Sequence, residues 1–239
     1  MEQFIFRPEN RVGSTDGDMI TIEGEEHFHL SRVLRAKAGE KIFATDGNGT
    51  TCLCIVVSTG KDSSTCKVVE EYYDKNVSRR KFCIGMAVLK PISKLEFAIE
   101  KCVELGAAGF LLFHCERSEK GNLRFDRIAG IMRSAVKQSL QSRIPELAIV
   151  KSLEEVISGS HEYAIRFVLH EKSDTMVENY LSGVEKDAPI VALIGPEGGF
   201  SDNEIEFLKK ENFNSVSVGK PRLRSETAAI KIASLLATY

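Results

Sequence analysis

The sequence predicts an α/β protein of two domains, and three observations carry that expectation. The first 75 or so residues read as short strands broken by turn-formers. From about residue 80 strands and helices alternate, which implies right-handed crossovers and a parallel sheet. Three of the later strands end in loops rich in glycine or charge, at FVLHEK, LIGPEGGF and VGKPRLRSE. The predicted boundary lies between residues 76 and 77.

In the first domain, QFIFR, MITIE, EKIFATD, TCLCIVV and STCKVVEEY are predicted strands, with DGNG at 46–49 as a turn. One helix interrupts them at HFHLSRVLR, where Phe28, Leu30, Val33 and Leu34 would share one side and Gly39 supplies a stop. His27 and His29 read as cap or surface residues rather than ligands or bases. In the second domain KFCIGMAVL opens as a buried strand. Ser93 with Glu96 three residues on is a predicted capping box for a helix through Leu95, Ile99, Cys102 and Val103 that stops at Gly106. There follow the strand FLLFH, the helix FDRIAGIMRSAVKQSL, a short strand near AIV, a helix near SLEEVI, the strand AIRFVLH, a helix near TMVENYL and the strand PIVALIG. After the glycine loop come a helix from 202, the strand SVSVG, the loop KPRLRSE and the helix TAAIKIASLLAT.

Composition narrows the function classes. The chain has 239 residues, 43% hydrophobic and 28% charged, the proportions of a globular protein rather than a disordered one. Neither a membrane-span-length apolar run nor a secretory leader is legible, so the expectation is a cytoplasmic protein. The six cysteines form no CxxC pair and no cluster with histidine at ligand spacing; they read as buried free thiols, and no metal is expected. A net charge of −2 conceals an asymmetry: residues 79–146 carry 13 Lys+Arg against 7 Asp+Glu, while the segments on either side are acidic. A basic middle can attract a polyanion locally, but on charge alone solvated helix faces are the plainer reading.

The strand-ending loops hold the chemistry. Ligands of open parallel sheets sit beyond the carboxyl ends of the strands. In LIGPEGGF the glycines permit positive φ and close backbone approach. The loop lacks the GK[ST] of a phosphate-binding loop and the GxGxxG of dinucleotide folds. Ser201 and Glu204 form a predicted capping box, so the next helix satisfies some of its own first amides, which weakens a phosphate cradle further. Arg222, Arg224 and Glu226 crowd the neighbouring loop, where a surface cap is the plainer reading of the arginine and glutamate.

GPEGGFSDNEIEF followed by LRSETAAI resembles the signature of the ribosomal RNA small subunit methyltransferase E family, SPOUT enzymes that methylate N3 of a uridine in 16S ribosomal RNA. The resemblance covers nearly the whole chain: HFHLSRVLRAKAGEKIFATDGNG is similar to the family's PUA-like RNA-binding β-barrel, and LEFAIEKCVELGA to its KxxELG helix through Lys101, Glu104, Leu105 and Gly106. ERSE and KQSLQSRIPEL resemble the region after its second strand. The resemblance implies a PUA-like domain over 1–76, a SPOUT domain over 77–239 with a deep C-terminal trefoil knot, a homodimer, and S-adenosylmethionine as cofactor.

By the same resemblance, cofactor-binding falls on Leu169, His170 and Glu171; on Ile194, Gly195, Pro196, Glu197, Gly198, Gly199 and Phe200; and on Val218, Gly219, Leu223, Arg224, Ser225, Glu226 and Thr227. Methylating N3 requires removal of its proton and stabilisation of charge on O2 and O4. Arg224 is the first candidate for that stabilisation, with Glu226, Glu197 or water as the base. Arg7, Arg32, Arg35, Arg117 and Arg143 are candidate phosphate contacts. The sequence departs from the pattern at Leu140 and Gln141, where many relatives have Gly and Arg, at Lys137 in place of Glu, and at Arg222 in place of an aliphatic residue. Two rivals stay open: a non-catalytic RNA-binding ribosome-assembly protein with the same fold, and a nucleotide-binding enzyme using the glycine loop.

Overall fold

The computed structural model describes residues 1–13, 15, 17–119 and 121–238. It divides into two units, Met1–Val77 with Val136–Ile144, and Ser78–Ala135 with Pro145–Tyr239. The first unit holds β1 (Gln3–Ile5), β2 (Arg11–Val12), β3 (Met19–Glu23), α1 (Gly24–Phe28), β4 (Lys41–Thr45), β5 (Thr50–Thr59) and β6 (Ser63–Tyr73). These strands make one six-stranded sheet in the order β1-β4-β5-β6-β3-β2, antiparallel except for the parallel pair β1 and β4. Alternation of apolar and polar residues puts Cys52, Cys54 and Val56 of β5 into one core with Phe4, Ile20, Ile22 and Leu30. The turn between β4 and β5 closes on Asp46, whose Oδ1 accepts the amides of Asn48 and Thr50 at 2.8 and 3.0 Å.

The helix expected at 27–35 differs in phase and extent. It begins at Gly24, and after Phe28 the chain runs through a π-helical turn, His29–Val33. A π turn takes more residues per revolution, so a stripe counted at 3.6 residues drifts off the core. Leu30 is buried, while Phe28, Val33 and Leu34 are exposed. His27 is not a surface residue: it is buried, with Nδ1 2.8 Å from Ser64 Oγ and Nε2 3.2 Å from the Lys61 carbonyl.

The short segment Val136–Ile144 belongs to the first unit although it lies far along the chain. Gln3 Nε2 donates to the Gln141 carbonyl at 2.7 Å, Lys137 Nζ donates to Glu26 Oε1 at 2.6 Å, and Thr45 Oγ1 donates to the Ser142 carbonyl at 3.1 Å. Leu140 has a φ of +55°, a conformation that suits glycine. Gln141 is buried and donates to Ser139 Oγ at 2.9 Å, so this side chain faces protein rather than a ligand.

The second unit contains β7 (Phe82–Ala87), α2 (Ile92–Glu104), β8 (Gly109–Phe113), α3 (Phe125–Gln138), β9 (Glu146–Ile149), α4 (Leu153–Ser158), β10 (Ile165–Leu169), α5 (Val177–Ser182), β11 (Ile190–Ile194), α6 (Asp202–Lys210), β12 (Asn214–Val216) and α7 (Ser225–Thr238), the last turn of α3 falling in the first unit. Its six strands are all parallel, in the order β12-β10-β11-β7-β8-β9. Strands β7, β8 and β11 are buried throughout, as the unbroken apolar runs require of a sheet covered on both faces. Helix α7 presents Ala229, Ile232, Ala233 and Leu236 inward and packs against α2.

The capping box expected at Ser93 and Glu96 does not form. Pro91 is the N-cap, so Ser93 already lies inside the first turn, and the Glu96 carboxylate is taken by Arg127 of α3. The stop at Gly106 does form, with φ +92° just past the last turn. Five cysteines are buried, and Cys115 is partly so. Burial pushes the thiols of Cys52 and Cys66 up to about 11 and that of Cys83 to about 12, the state of inert core residues.

Phe167, fully buried on β10, meets Tyr180 of α5 edge to face at 5.9 Å. Phe167→Ala is expected to lower stability by about 3–5 kcal/mol, read from the midpoint shift in urea at unchanged m-value.

Candidate active site

Because β12, β10 and β11 are adjacent and parallel, their carboxyl ends at Val216, Leu169 and Ile194 lie side by side. The loops leaving them surround a cavity of about 440 Å³, within the usual range for a small-molecule pocket. Leu169, His170, Glu171 and Lys172 form one wall; Ile194 to Phe200 form the second; Ser217 to Gly219 and Pro221 to Ser225 form the third.

The glycine loop needs its glycines at identifiable places. A Cβ on Gly195 would stand 3.0 Å from Phe200 Cδ2, 3.1 Å from the Phe200 nitrogen and 3.2 Å from the Gly199 carbonyl carbon. The loop therefore doubles back on itself at van der Waals distance. Gly199 closes the turn with φ +68°, its N–H donating to the Pro196 carbonyl at 2.9 Å. Phe200 then points into the core and stacks on Phe113, with ring centroids 6.3 Å apart and an interplanar angle of 15°.

Directly after the loop, Ser201 and Glu204 form the expected capping box at the start of α6. Ser201 Oγ accepts the Glu204 amide at 3.3 Å, and Glu204 Oε2 accepts the Ser201 amide at 2.8 Å. Ser201→Ala is expected to cost about 1 kcal/mol of stability, measured by thermal or urea unfolding.

Charge is distributed unevenly around the opening. Arg222 pairs with Glu171 at 3.3 Å, and Lys94 of α2 pairs with Glu197 at 3.3 Å. Arg224 is exposed on the cavity wall and has no carboxylate partner among the described residues. Burial holds the His170 imidazole below its ordinary pKa, with Lys172 and Lys209 adding to the effect, so the ring is neutral at pH 7.

Of the residues expected around a cofactor, those from Leu169 to Ser225 all line the cavity, whereas Glu226 and Thr227 do not. Both lie in the first turn of α7, whose rotation carries them past the cavity while Ser225 and Ala228 remain on it. Glu226 Oε2 is buried without a hydrogen-bond partner among the described residues. Lys172, Asp202, Ser217 and Ala228 also line the cavity, although nothing in their local sequence marks them. Arg7, Arg32 and Arg35 are exposed in the first unit, as is Arg143, which pairs with Asp74. Arg117 is not a free surface arginine: it lines the cavity, and Nη1 donates to the carbonyls of Gly198 and Phe200 at 2.9 and 3.2 Å. No group of His, Cys, Asp and Glu suited to a metal occurs among the described residues.

A covered parallel sheet with one loop-walled cavity at its carboxyl edge, on a chain with a separate strand-rich unit, defines a class. Residues 76–237 match the RNA methyltransferase domain, and residues 22–69 match the RNA methyltransferase PUA domain. The chain belongs to the ribosomal RNA small subunit methyltransferase E family. The Bacillus subtilis member is 28% identical over 227 residues, covering 90% of this chain and 88% of the relative. The Mesomycoplasma hyopneumoniae member is 30% identical over 174 residues, covering 71% and 74%. The crystal structure of the Neisseria gonorrhoeae ribosomal RNA small subunit methyltransferase E bound to S-adenosyl methionine shares the fold, with a TM-score of 0.87 at 22% identity over 100% of this chain and 97% of that one.

Proposed function

We propose that the chain transfers a methyl group from S-adenosylmethionine to N3 of a uridine in 16S ribosomal RNA of the small subunit. The observation that carries this reading is the cavity at the ends of β10, β11 and β12, with the guanidinium of Arg224, unpaired among the described residues, on its wall. The residues present fit the cofactor. Leu169, Ile194, Val218 and Leu223 offer apolar surface to an adenine, Glu171 and Asp202 offer carboxylates to an ammonium group, and Gly195 keeps clear the space a Cβ would fill. When bound, S-adenosylmethionine supplies an electrophilic methyl group on a sulfonium.

The protein's own task is to make N3 nucleophilic. Uridine N3 carries a proton in the neutral base, and its removal spreads negative charge over O2 and O4. Arg224 is the group that meets this charge, since a guanidinium presents several fixed donors and stays protonated. Of the two candidate bases, Glu197 lines the cavity, and its pairing with Lys94 holds it in place at 3.3 Å. Glu226, outside the cavity, is better suited to a structural role at the start of α7.

On this reading Arg7, Arg32, Arg35 and Arg143 contact RNA phosphates, which position the substrate without reading its sequence. The first unit serves as a PUA-like barrel. The second is a SPOUT domain with a trefoil knot, a reading supported by the strand order: β11 inserts between β7 and β10, and the chain then returns past β10 to form β12. The working form is a cytoplasmic homodimer.

Incubation with labelled S-adenosylmethionine and either free 16S ribosomal RNA or assembled small subunits lacking the modification tests the proposal. Label in RNA is the expected result. Cofactor binding without transfer to either substrate would favour a non-catalytic assembly protein.

A further inference from the structure

We infer that Arg117 is a positioning residue that sets the conformation of the glycine loop before the methyl donor arrives, rather than a contact to RNA phosphate. The inference rests on the methyl-donor reading of the cavity.

Arg117 is presented from a turn closed on itself. The Ser118 amide donates to the Cys115 carbonyl at 2.9 Å, and the Cys115 amide donates to Ser118 Oγ at 3.0 Å. From this turn, after β8, two residues reach the loop after β11. The Glu116 amide donates to Glu204 Oε1 at 2.7 Å, and Arg117 Nη1 donates to the carbonyls of Gly198 and Phe200 at 2.9 and 3.2 Å. The stem of Arg117 lies along the loop as well, since a Cβ on Gly198 would stand 3.4 Å from its Cβ and Cδ.

These bonds fix alternate peptide groups. The peptide joining Gly198 to Gly199 has its carbonyl on Arg117 and its N–H on the Pro196 carbonyl at 2.9 Å. The peptide joining Phe200 to Ser201 has its carbonyl on Arg117 and its N–H on Glu204 Oε2 at 2.8 Å. Each plane is held at both ends. The N–H groups of Gly198 and Phe200 have no partner among the described residues and stay available to a ligand. A loop with glycines at 195, 198 and 199 has little intrinsic preference among peptide orientations, because glycine crosses between φ regions at low cost. If the competent arrangement were only a fraction of the population, apparent affinity would fall by that fraction. One guanidinium nitrogen bonded to two carbonyls removes that loss, and it commits the Nη1 hydrogens to the loop.

The test uses the full chain with Arg117→Ala and Arg117→Lys. In the cofactor-free protein, hydrogen exchange at the Gly199 and Ser201 amides is expected to speed up about tenfold or more in Arg117→Ala. Calorimetry is expected to show the S-adenosylmethionine dissociation constant raised about tenfold or more, with Arg117→Lys intermediate because its ammonium ends one atom short of the Nη1 position that meets both carbonyls. The slope of RNA affinity against salt is expected to be unchanged. Unaltered exchange and unaltered cofactor affinity in Arg117→Ala would overturn the inference, as would a salt slope reduced by about one, the mark of a lost phosphate contact. Absence of S-adenosylmethionine binding by the wild-type chain would sink the donor reading instead, and the exchange rates would then decide the loop clamp by themselves.

Discussion

Arg224→Ala is expected to lower the rate of methyl transfer about a hundredfold or more while changing the S-adenosylmethionine dissociation constant by less than about threefold. The separation follows from where charge develops. The donor is cationic when it binds and loses that charge only as the methyl leaves, so its binding has nothing to gain from a nearby guanidinium. The uridine becomes anionic only as N3 loses its proton, and Arg224, exposed on the cavity wall with no carboxylate among the described residues to neutralise it, is free to meet that anion. Arg222, two residues earlier, is already paired with Glu171 at 3.3 Å, so Arg222→Ala should cost much less in turnover. Single-turnover rates with saturating RNA, alongside cofactor titrations, distinguish the two. Equal losses in rate and cofactor affinity for Arg224→Ala would make it a binding residue.

Gly195→Ala is expected to weaken cofactor binding at least about tenfold, with little change in overall stability beyond about 1–2 kcal/mol. The added methyl would stand 3.1 and 3.2 Å from backbone atoms of Phe200 and Gly199, and only the third near atom belongs to a side chain. Backbone cannot rotate away, so the loop must open and shift the peptide groups that Arg117 and Glu204 hold. Gly130→Ala supplies the contrast. It sits within α3 with nothing within 4 Å of the new Cβ, so it should leave the cofactor untouched and add about 0.5–1 kcal/mol of helix stability. Calorimetric titration with S-adenosylmethionine and urea unfolding of both variants would read these effects.

Much of the second unit was legible because its buried strands are long apolar runs and its helices carry a clear 3.6-residue stripe. The three loops could be assigned to one site since parallel strands put their carboxyl ends together. What escaped was set by contacts distant in sequence. The π turn at His29–Val33 changes the phase of a helix with no breaker residue to announce it, which is why Phe28, Val33 and Leu34, expected on one side with Leu30, are exposed while Leu30 is buried. Glu96 satisfied the spacing rule for a capping box, but an arginine 31 residues away takes its carboxylate and the helix is capped at Pro91, two positions before Ser93. The allegiance of Val136–Ile144 to the first unit rests on hydrogen bonds such as Gln3 to Gln141, 138 residues apart.

Arg117 illustrates the same limit within the site. By composition it is one more arginine in a basic stretch, and phosphate binding was the natural expectation. Its partners are backbone carbonyls 81 and 83 residues away, which leave no residue-specific trace in the sequence. Leu140 is a further case: the resemblance leads to a glycine there, and the φ of +55° shows why a glycine suits the position, yet leucine occupies it. Leu140→Gly would remove that strain at the cost of a more flexible unfolded chain.

Nucleoside analysis of the reacted RNA tests the central claim most directly. 16S ribosomal RNA or small subunits lacking the modification are incubated with the chain and S-adenosylmethionine carrying a labelled methyl group, digested to nucleosides, and separated by chromatography with mass detection. Labelled 3-methyluridine, absent with Arg224→Ala at matched times, is the expected result; label on carbon, on ribose or on another base, or no label in any nucleoside, would contradict it.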